Sequence, residues 1–495
     1  MTATLRRSIA LRSVFACMAL AITTSAAESQ TAAVALPDSK PGHLVAQWLQ
    51  LCQSPSADQM TKWLAANLSA EAVQRMAPED RARDQFALCT ANGGLRPAHI
   101  TSSDSSAILL ELVGITSDAW FKMTLAANSA GKLDRSGVAP TTPAESVMPA
   151  DLSDAAIAGY VRQTVAKLTK AGLFSGVVTV ARGTQTIVSA SGGYANRATH
   201  SAMNGSTQFT LGSMGKMFTA ASIGQLVGQK KMSFDDTVGK FFPDYPNKTV
   251  RDKVTVGMLL SHTAGLDDFL GKRTPEMMKN GVKRAAEFMP LYDTDEPLFP
   301  PGSSWSYSNA GLALAGAIVE KVSGEDYPDY LRKHIFAVAG MANSDPNNIP
   351  HTTPQSVTPY TKFTPTGPSA DWVEAEHDIG SPAGGAISTA DDLVRFADAL
   401  RSGKLVSKAT LDEMTKSRAN VPFGDKYGYA MEIHDTYGRT VVGHGGGFPG
   451  VSTHLYLILG SPYTVVVLAN QDPPADLYPG ATVLALVTEK AKRGQ

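Results

Sequence analysis

Strand-like segments lie at both ends of the region from Asp154 to the C-terminus. Two of them, SGVVTVARG and QTIVSASGGYA, follow an amphipathic helix that starts at Asp154 and ends at Gly172. Three more, GRTVVGHGG, STHLYLILG and YTVVVLANQ, precede a last helix, ATVLALVTEKAKR. Mostly helical sequence separates the two groups. This order predicts one sheet that the chain leaves after two strands and rejoins for the last three.

The region before Asp154 has a different organisation. The helical patterns HLVAQWLQLC and TKWLAANLSAEAVQRM come first, and the strand-like segments SSAILLELVG and WFKMTLAAN follow them. A stretch rich in Pro, Ser and Thr comes next. We therefore predict a small α+β domain of unknown role at 31–137, a linker at 138–153 and a larger domain at 154–495.

The first 27 residues have the pattern of a secretory signal peptide. Arg6, Arg7 and Arg12 precede the apolar run SVFACMALAITTSAA, which ends in small residues. The expected cut follows Ala27, which predicts a periplasmic or secreted protein. The alternative is an apolar helix of the mature fold, and the charged start and small-residue end argue against it. No other stretch reaches the roughly 18 consecutive apolar residues that a membrane span needs, so we expect no stable membrane span.

The predicted cut would remove Cys17 and leave two cysteines, Cys52 and Cys89. In an oxidising compartment these two thiols are able to form a disulfide. The sequence does not show whether they lie close together, so both the bonded and the free state stay open.

Composition and missing motifs exclude several classes of function. The 44 basic and 45 acidic residues nearly balance, and no basic and aromatic stripe is present, so no nucleic-acid partner is expected. The 10 histidines form no H-E-x-x-H motif and no cluster with cysteine in the sequence, so neither a metal nor another cofactor is expected. The chain also has no G-x-S-x-G motif, which argues against an α/β-hydrolase.

The segment FTLGSMGKMFTAA places Ser213 and Lys216 three residues apart in an apolar helical pattern. Residues at this spacing lie on one helix face, about 5 to 6 Å apart at Cβ. Burial of the amine is expected to lower its pKa from about 10.4 toward neutrality, which would make it a base for the serine hydroxyl. A second serine and lysine pair at this spacing, Ser129 and Lys132, lies between strand-like segments and is predicted to be a turn.

A second element, PPGSSWSYSNAGLALAGAIVEKVSG, places Tyr307 and Asn309 just before a helix that ends at Gly324. A phenol beside an ammonium group is expected to have a lowered pKa and to relay a proton, and an amide can bind a substrate carbonyl. The alternative reading is a capped helix with a packed tyrosine.

A third element, VVGHGGGFPG, places His444 near the end of a strand and before three glycines. Glycines leave room for a substrate to lie along the strand edge, where backbone N–H groups can bind an oxyanion. The alternative is a glycine-rich hairpin with a surface histidine. A further histidine, His262 in LLSHTAGL, is expected to make only local hydrogen bonds at a helix end.

In this order the stretches SMGK, PPGSSWSYSN and GHGG, with LLSHTAGL, SPAGGAISTADDLVRF at 381–396 and YGYAMEI at 427–433, resemble the serine β-lactamase and penicillin-binding-protein-like superfamily. The branch with the greatest likeness holds class C β-lactamases, D-alanyl-D-alanine carboxypeptidases, D-amino-acid peptidases and related esterases. The resemblance covers about residues 150 to 495. It implies an α/β (α+β) fold in which a five-stranded antiparallel sheet is flanked by helices and a helical subdomain.

The resemblance also implies roles for the residues of these motifs. Ser213 would be the nucleophile that becomes acylated, Lys216 its partner, and Tyr307 the general base or proton relay. Asn309 would orient the substrate amide. The expected activity is that of a serine hydrolase acting on esters, amides or peptides, and the alternative is a non-catalytic protein that binds cell-wall peptides.

By the same resemblance His444, Gly445 and Gly446 form the third motif, and the backbone N–H groups of Ser213 and Gly447 form the oxyanion hole. Many β-lactamases carry a lysine where this chain has His444. A histidine titrates near 6.5, so much of the attraction for a substrate carboxylate would be missing at neutral pH. This departure favours esters or neutral amides over β-lactams as substrates.

Overall fold

The computed structural model of the chain describes residues 34–274, 277, 282–346, 355–364, 367–375, 380–421 and 425–494. The predicted signal peptide at 1–27, with its cut after Ala27, lies outside the described residues. Within them the chain is a mixed α/β structure whose sheets are antiparallel.

Residues 40–140, here called the N-terminal unit, form four helices followed by a four-stranded sheet in the order β1-β2-β3-β4. Its elements are α1 (Lys40–Gln53), α2 (Ala57–Asn67), α3 (Ala70–Arg75), α4 (Pro78–Ala91), β1 (Leu95–Ser103), β2 (Ala107–Gly114), β3 (Trp120–Ala127) and β4 (Leu133–Pro140). Alternate residues of β2 and β3 are buried, which explains why both strands were recognisable in the sequence. Cys52 in α1 and Cys89 in α4 are buried and form a disulfide.

The segment 138–153, predicted as a linker, is attached at both ends. Its first three residues belong to β4. The Tyr437 hydroxyl donates a hydrogen bond to the carbonyl of Pro143, and the guanidinium of Arg493 donates to the carbonyls of Pro149 and Ala150 at 3.1 and 2.9 Å. The segment therefore runs along the C-terminal part of the chain and is held there by hydrogen bonds.

The large sheet has eight strands in the order β11-β12-β13-β14-β15-β16-β5-β6, rather than the five that were expected. Its strands are β5 (Gly176–Arg182), β6 (Gln185–Gly192), β11 (Ala419–Asn420), β12 (Lys426–Tyr427), β13 (Glu432–Thr436), β14 (Arg439–Phe448), β15 (Val451–Ile458) and β16 (Tyr463–Ala469). The five long strands are those that the sequence predicted. The three additional strands have two to five residues, too few to show a periodic pattern. Two small two-stranded sheets contain β7 (Phe209–Thr210), β8 (Tyr360–Thr364), β9 (Gly367–Glu374) and β10 (Ile387–Ser388).

Helices cover both faces of the large sheet. The α-helices are α5 (Asp154–Lys170), α6 (Lys216–Gly228), α7 (Val238–Phe241), α8 (Lys248–Lys253), α9 (Val256–Leu260), α10 (Asn309–Ser323), α11 (Tyr327–Tyr330), α12 (Ala337–Ala339), α13 (Ala390–Arg401), α14 (Lys408–Met414) and α15 (Leu477–Lys492). Short 3₁₀ helices lie at Glu145–Val147, Gly212–Gly215, Leu270–Lys272 and Ala285–Leu291, and a π-helical turn lies at Leu331–Phe336.

The two faces of the sheet belong to two hydrophobic cores. In β16, Val465 and Val467 belong to the core that contains α5 and α15, whereas Val466 and Leu468 belong to the core that contains α6, α10 and α13. Alternate side chains of a strand point to opposite faces, so every residue of this doubly covered strand is buried. The N-terminal unit joins the core on the α15 side, where the ring of Phe121 lies 6.0 Å from that of Tyr478.

A search of the described residues for a helix of the length and apolarity needed to cross a membrane finds none.

The disulfide is expected to stabilise the N-terminal unit. Cys52 and Cys89 are 37 residues apart, and closing a loop of this length restricts the unfolded chain by about 3–4 kcal/mol. The Cys52→Ala, Cys89→Ala double variant should therefore lose about this much free energy of unfolding, measured in guanidinium chloride by circular dichroism. Wild-type protein treated with dithiothreitol should show the same loss, and a loss below about 1 kcal/mol would contradict the prediction.

Candidate active site

Ser213 lies in a 3₁₀ turn, Gly212–Gly215, that leads directly into α6. Gly212 has a φ of +54°, a conformation that residues with a side chain rarely adopt. A Cβ at this position would also lie 3.1 Å from the backbone nitrogen of Gly447 in β14. The turn and the edge of β14 are therefore in close contact, and this contact brings Ser213 next to the glycines of the third motif.

Lys216, the first residue of α6, is fully buried and has three acceptors around its amine. Its Nζ donates to Ser213 Oγ at 2.9 Å, to Asn309 Oδ1 at 2.7 Å and to the carbonyl oxygen of Ala383 at 2.5 Å. An ammonium group has three N–H donors, which matches these three acceptors. The structure thus brings together the serine and lysine of the first motif with the asparagine of the second.

Tyr307 completes this group. Its ring centroid lies 4.7 Å from Lys216 Nζ, so the amine lies over the face of the ring. Desolvation raises the pKa of the phenol, and the interaction with the Ser213 hydroxyl opposes that rise. The expectation of a lowered pKa is therefore wrong, because desolvation outweighs the hydrogen bond that lowers the pKa. Tyr307 is 37% exposed, so the rise is smaller than full burial would cause.

Asn309 is the first residue of α10 and follows its N-cap, Ser308. Its Oδ1 accepts from Lys216, and its Nδ2 donates to Asp268 Oδ2 at 2.8 Å. The side-chain amide thus links the buried amine to a carboxylate in the loop after α9. A substrate carbonyl would have to replace Asp268 as the acceptor for Nδ2. Asp268 was missed in the sequence because it belongs to no motif.

A chain of hydrogen bonds lies behind Tyr307. The Ser308 N–H donates to His262 Nδ1 at 3.1 Å, His262 Nε2 lies 3.1 Å from the hydroxyl of Tyr427, and that hydroxyl lies 2.7 Å from His444 Nε2. His444 Nδ1 lies 2.5 Å from the carbonyl oxygen of Gly445. Because His262 Nδ1 is an acceptor, its proton is on Nε2 and donates to Tyr427, which then donates to His444. With both rings neutral, each hydrogen bond has one donor and one acceptor.

Both histidines of this chain are buried, and burial favours their neutral forms. Desolvation lowers the pKa of His444 to about 4, with the positive charge of Lys216 acting in the same direction and Glu432 opposing it. Desolvation and Lys216 also hold the pKa of His262 well below its usual range. The expectation that His444 titrates near 6.5 is therefore wrong, and its ring carries no positive charge at neutral pH.

The expectation that His262 makes only local hydrogen bonds at a helix end is also wrong. Its backbone follows the C-cap of α9 with a φ of +59°, but its side chain reaches Tyr427 and its ring lies 4.3 Å from that of Tyr307, tilted by 37°. Tyr427 itself, in the quoted stretch YGYAMEI, was not singled out in the sequence. The sequence feature that could have identified Tyr427 is its position in that stretch. The same is true of Ala383 in SPAGGAI.

Gly445, Gly446 and Gly447 form the open edge of β14. Gly445 N donates to Glu432 Oε1 at 3.3 Å, on the side of β14 that faces away from β15. Backbone N–H groups alternate in direction along a strand, so Gly447 N points to the same side. There β13 no longer pairs with β14, since its first residue, Glu432, pairs with Gly443. The Gly447 N–H is therefore directed into the space beside Ser213.

Comparison with known proteins adds independent findings. A family model described as beta-lactamase matches residues 160–489, which leaves out the N-terminal unit. Penicillin-binding protein 4* of Bacillus subtilis (strain 168) is 29% identical over 318 residues, which cover 60% of this chain and 68% of that protein.

Two solved structures have a similar fold. The penicillin binding protein from Bacillus halodurans is 29% identical with a TM-score of 0.56, and the match covers 66% of this chain and 98% of that one. The D-amino acid amidase from Ochrobactrum anthropi SV3, solved with D-phenylalanine, is 25% identical with a TM-score of 0.58. That match covers 70% of this chain and 100% of the amidase.

The hydrogen-bond chain predicts the effect of Tyr427→Phe. Removing the hydroxyl leaves His262 Nε2 and His444 Nε2 without their shared partner, which should cost about 1–3 kcal/mol of stability. We expect the rate of Ser213 acylation by p-nitrophenyl acetate to fall about tenfold, because Tyr307 and β14 both rest on this chain. Tyr429→Phe is the control, because Tyr429 belongs to the same motif as Tyr427 but its ring packs 4.5 Å from that of Phe234. Equal rates in the two variants would contradict the prediction.

The close packing of β14 predicts the effect of Gly446→Ala. A Cβ on Gly446 would lie 1.9 Å from the carbonyl oxygen of Leu211, so the edge strand and the turn that carries Ser213 must move apart. We expect acylation of Ser213 to slow by about 100-fold or more. The control is Gly159→Ala in α5, where a Cβ meets no atom of the described residues within 4 Å. A Gly446→Ala rate within a factor of about three of wild type would overturn this reading.

Proposed function

The chain belongs to the beta-lactamase family, and we propose that it is a serine hydrolase that forms an acyl-enzyme on Ser213. The observation that carries the proposal is the position of the Lys216 amine, which is buried and 2.9 Å from the Ser213 hydroxyl. A buried amine at this distance from a serine is the arrangement that activates a hydroxyl for attack on a carbonyl.

The proposed reaction has two acyl-transfer steps. Ser213 Oγ attacks the substrate carbonyl carbon, and the Lys216 and Tyr307 pair takes up its proton. The oxyanion lies between the backbone N–H groups of Ser213 and Gly447. Collapse of this intermediate expels the alcohol or amine, which takes a proton from Tyr307, and water then releases the acyl group by the reverse sequence.

The raised pKa of Tyr307 supports a division of labour within the pair. A phenol that holds its proton at neutral pH is suited to donate to a leaving group. Lys216 is the group in direct hydrogen-bond contact with Ser213 Oγ, so its neutral, deprotonated form is the proposed acceptor of the serine proton. With Lys216 accepting the serine proton and Tyr307 donating a proton to the leaving group, the proposed reaction requires no metal or cofactor.

The neutral His444 supports a substrate without a negative charge at this end of the cleft. Its Nε2 accepts from Tyr427 and its Nδ1 faces the carbonyl of Gly445, so both nitrogens are engaged inside the protein. A substrate carboxylate would therefore find neither a cation nor a free N–H on this ring. Esters and D-amino-acyl amides are the proposed substrates, and the likeness to a D-amino acid amidase agrees with this choice.

We also propose that the mature protein is periplasmic or secreted, with domains at 31–137 and 154–495. Two observations support this location. Residues 1–27 have the charge and apolar pattern of a cleaved signal, and Cys52 and Cys89 form a disulfide, which persists in oxidising compartments. The partner is a small ester, amide or peptide.

Intact-mass analysis tests the nucleophile. Wild-type protein is exposed separately to p-nitrophenyl acetate, a D-phenylalanine ester, a β-lactam and a D-alanyl-D-alanine peptide. We expect one acyl adduct from the two esters and slower or no labelling by the β-lactam, since the ring of His444 carries no positive charge at neutral pH. Ser213→Ala and Lys216→Met should form no adduct.

Ser129→Ala is the matched control, because Ser129 begins the other serine and lysine pair and lies in the turn between β3 and β4. It should label like wild type. Adduct retained in Ser213→Ala would place the nucleophile elsewhere. A folded wild-type protein that forms no adduct with any of the four reagents would favour a non-catalytic peptide-binding protein.

A further inference from the structure

Three potential metal ligands meet on the α15 side of the large sheet, away from Ser213. Glu432 and His434 are two residues apart on β13, so their side chains lie on the same face. His454 lies on β15, with β14 between the two strands. The β14 residues that pair with Glu432 and His454 are Gly443 and Gly445. Neither has a side chain, so the three groups can approach one another above β14.

The ligand atoms of these residues converge. One ligand atom from each residue lies within 4.8 Å of the other two. His454 Nε2 and His434 Nε2 lie 3.2 and 3.5 Å from the same oxygen, Glu432 Oε2. Both nitrogens are buried, and Glu432 Oε2 is the oxygen that each of them faces. The side chain of His454 is 8% exposed.

Each histidine is oriented by a second carboxylate. His434 Nδ1 lies 3.0 Å from Asp425 Oδ1, and His454 Nδ1 lies 3.3 Å from Asp476 Oδ2. Asp476 accepts in turn from the hydroxyl of Ser452. Metal-binding histidines usually donate their second N–H to a carboxylate in this way, which fixes the tautomer and aims the other nitrogen at the ion.

We propose that Glu432, His434 and His454 form a binding site for one Zn²⁺ ion. A tetrahedral zinc site with bonds of about 2.0–2.1 Å separates neighbouring ligand atoms by about 3.3 Å. The two nitrogen–oxygen distances of 3.2 and 3.5 Å bracket that value. Two imidazoles and one carboxylate suit zinc, whereas Mg²⁺ and Ca²⁺ prefer oxygen ligands alone. A water molecule completes the fourth position.

The position of the proposed zinc site gives it a structural rather than a catalytic role. Glu432 Oε2 faces the two histidines, whereas Oε1 accepts from Gly445 N. An ion bound to Oε2 would join β13 to β15 across β14 and hold the carboxylate that supports the open edge of β14. It is not a reactant in acyl transfer, because Ser213 lies on the other face of the sheet. The partial exposure of His434, 23% of its side chain, provides a route for the ion.

No motif in the sequence indicates this site. The ligands are spaced two and twenty residues apart on strands and match no helical or Cys/His zinc motif. Strand pairing is what brings these three groups together, so the expectation that no metal is bound, drawn from the linear sequence, did not consider them.

Zinc binding is tested on the mature protein without a histidine tag. Metal content after purification is measured by mass spectrometry, and chelator-treated protein is titrated with ZnCl₂ by calorimetry. We expect one Zn²⁺ per chain and a rise in melting temperature on adding the ion. Co²⁺ should give the visible absorption of a four-coordinate nitrogen and oxygen site.

His434→Gln is the main variant, because His434 is partly exposed and its replacement should disturb folding least. It should weaken zinc binding by about 100-fold. Asp425→Asn keeps all three ligands and should weaken binding by about 10-fold. His99→Gln is the matched control, since the exposed His99 on β1 lies 4.0 Å from the carboxylate of Glu111 on β2, and it should bind like wild type.

Two results would overturn the proposal. One is wild-type protein that binds less than about 0.2 Zn²⁺ per chain, which would make the cluster an ion-paired network alone. The other is a His434→Gln protein that is folded and binds zinc as tightly as the His99→Gln control. Neither result bears on Ser213, whose acylation is measured separately.

Discussion

The burial of the Lys216 amine is the interaction on which the site depends. An amine placed in an apolar core without partners would cost several kcal/mol. Here three acceptors surround it, and they come from three parts of the chain: the turn before α6, the start of α10 and the carbonyl of Ala383. The same contacts that make burial tolerable therefore fix the relative positions of Ser213 and Asn309. The ring of Tyr307 covers the amine, with its centroid 4.7 Å from Lys216 Nζ.

Around this amine the protein uses neutral groups. A second fixed cation at His444 would be repelled by Lys216, and desolvation already disfavours it. The chain from Ser308 through His262 and Tyr427 to His444 satisfies each buried ring nitrogen with one donor or acceptor. Polar networks that are fully satisfied hold their members in one arrangement. This network positions the third motif without bringing charge to it, which is the physical basis for proposing uncharged substrates.

Glycines on β14 serve both faces of the sheet. Gly446 lets the strand approach Leu211 and the turn that carries Ser213, whereas Gly443 and Gly445 leave space on the opposite face for the proposed zinc ligands. Glu432 contacts both arrangements, since one oxygen accepts from Gly445 N and the other faces His434 and His454. An ion at that position would therefore stabilise the edge strand from behind.

The sequence by itself determined the five long strands, the amphipathic α5 and the pairing of Ser213 with Lys216, because periodicity and i, i+3 spacing act over a few residues. It also supplied the order of the motifs that the resemblance needed. Only the tertiary structure decided the strands β11 to β13, the partners of Asn309 and the roles of His262 and Tyr427, since these depend on residues up to 165 positions apart. The shifted pKa values of Tyr307 and His444 were likewise decided only by the tertiary structure. Desolvation is a property of the packed interior: it reversed the predicted direction of the Tyr307 shift, and it lowered the pKa of His444 below the ordinary value that the sequence suggested.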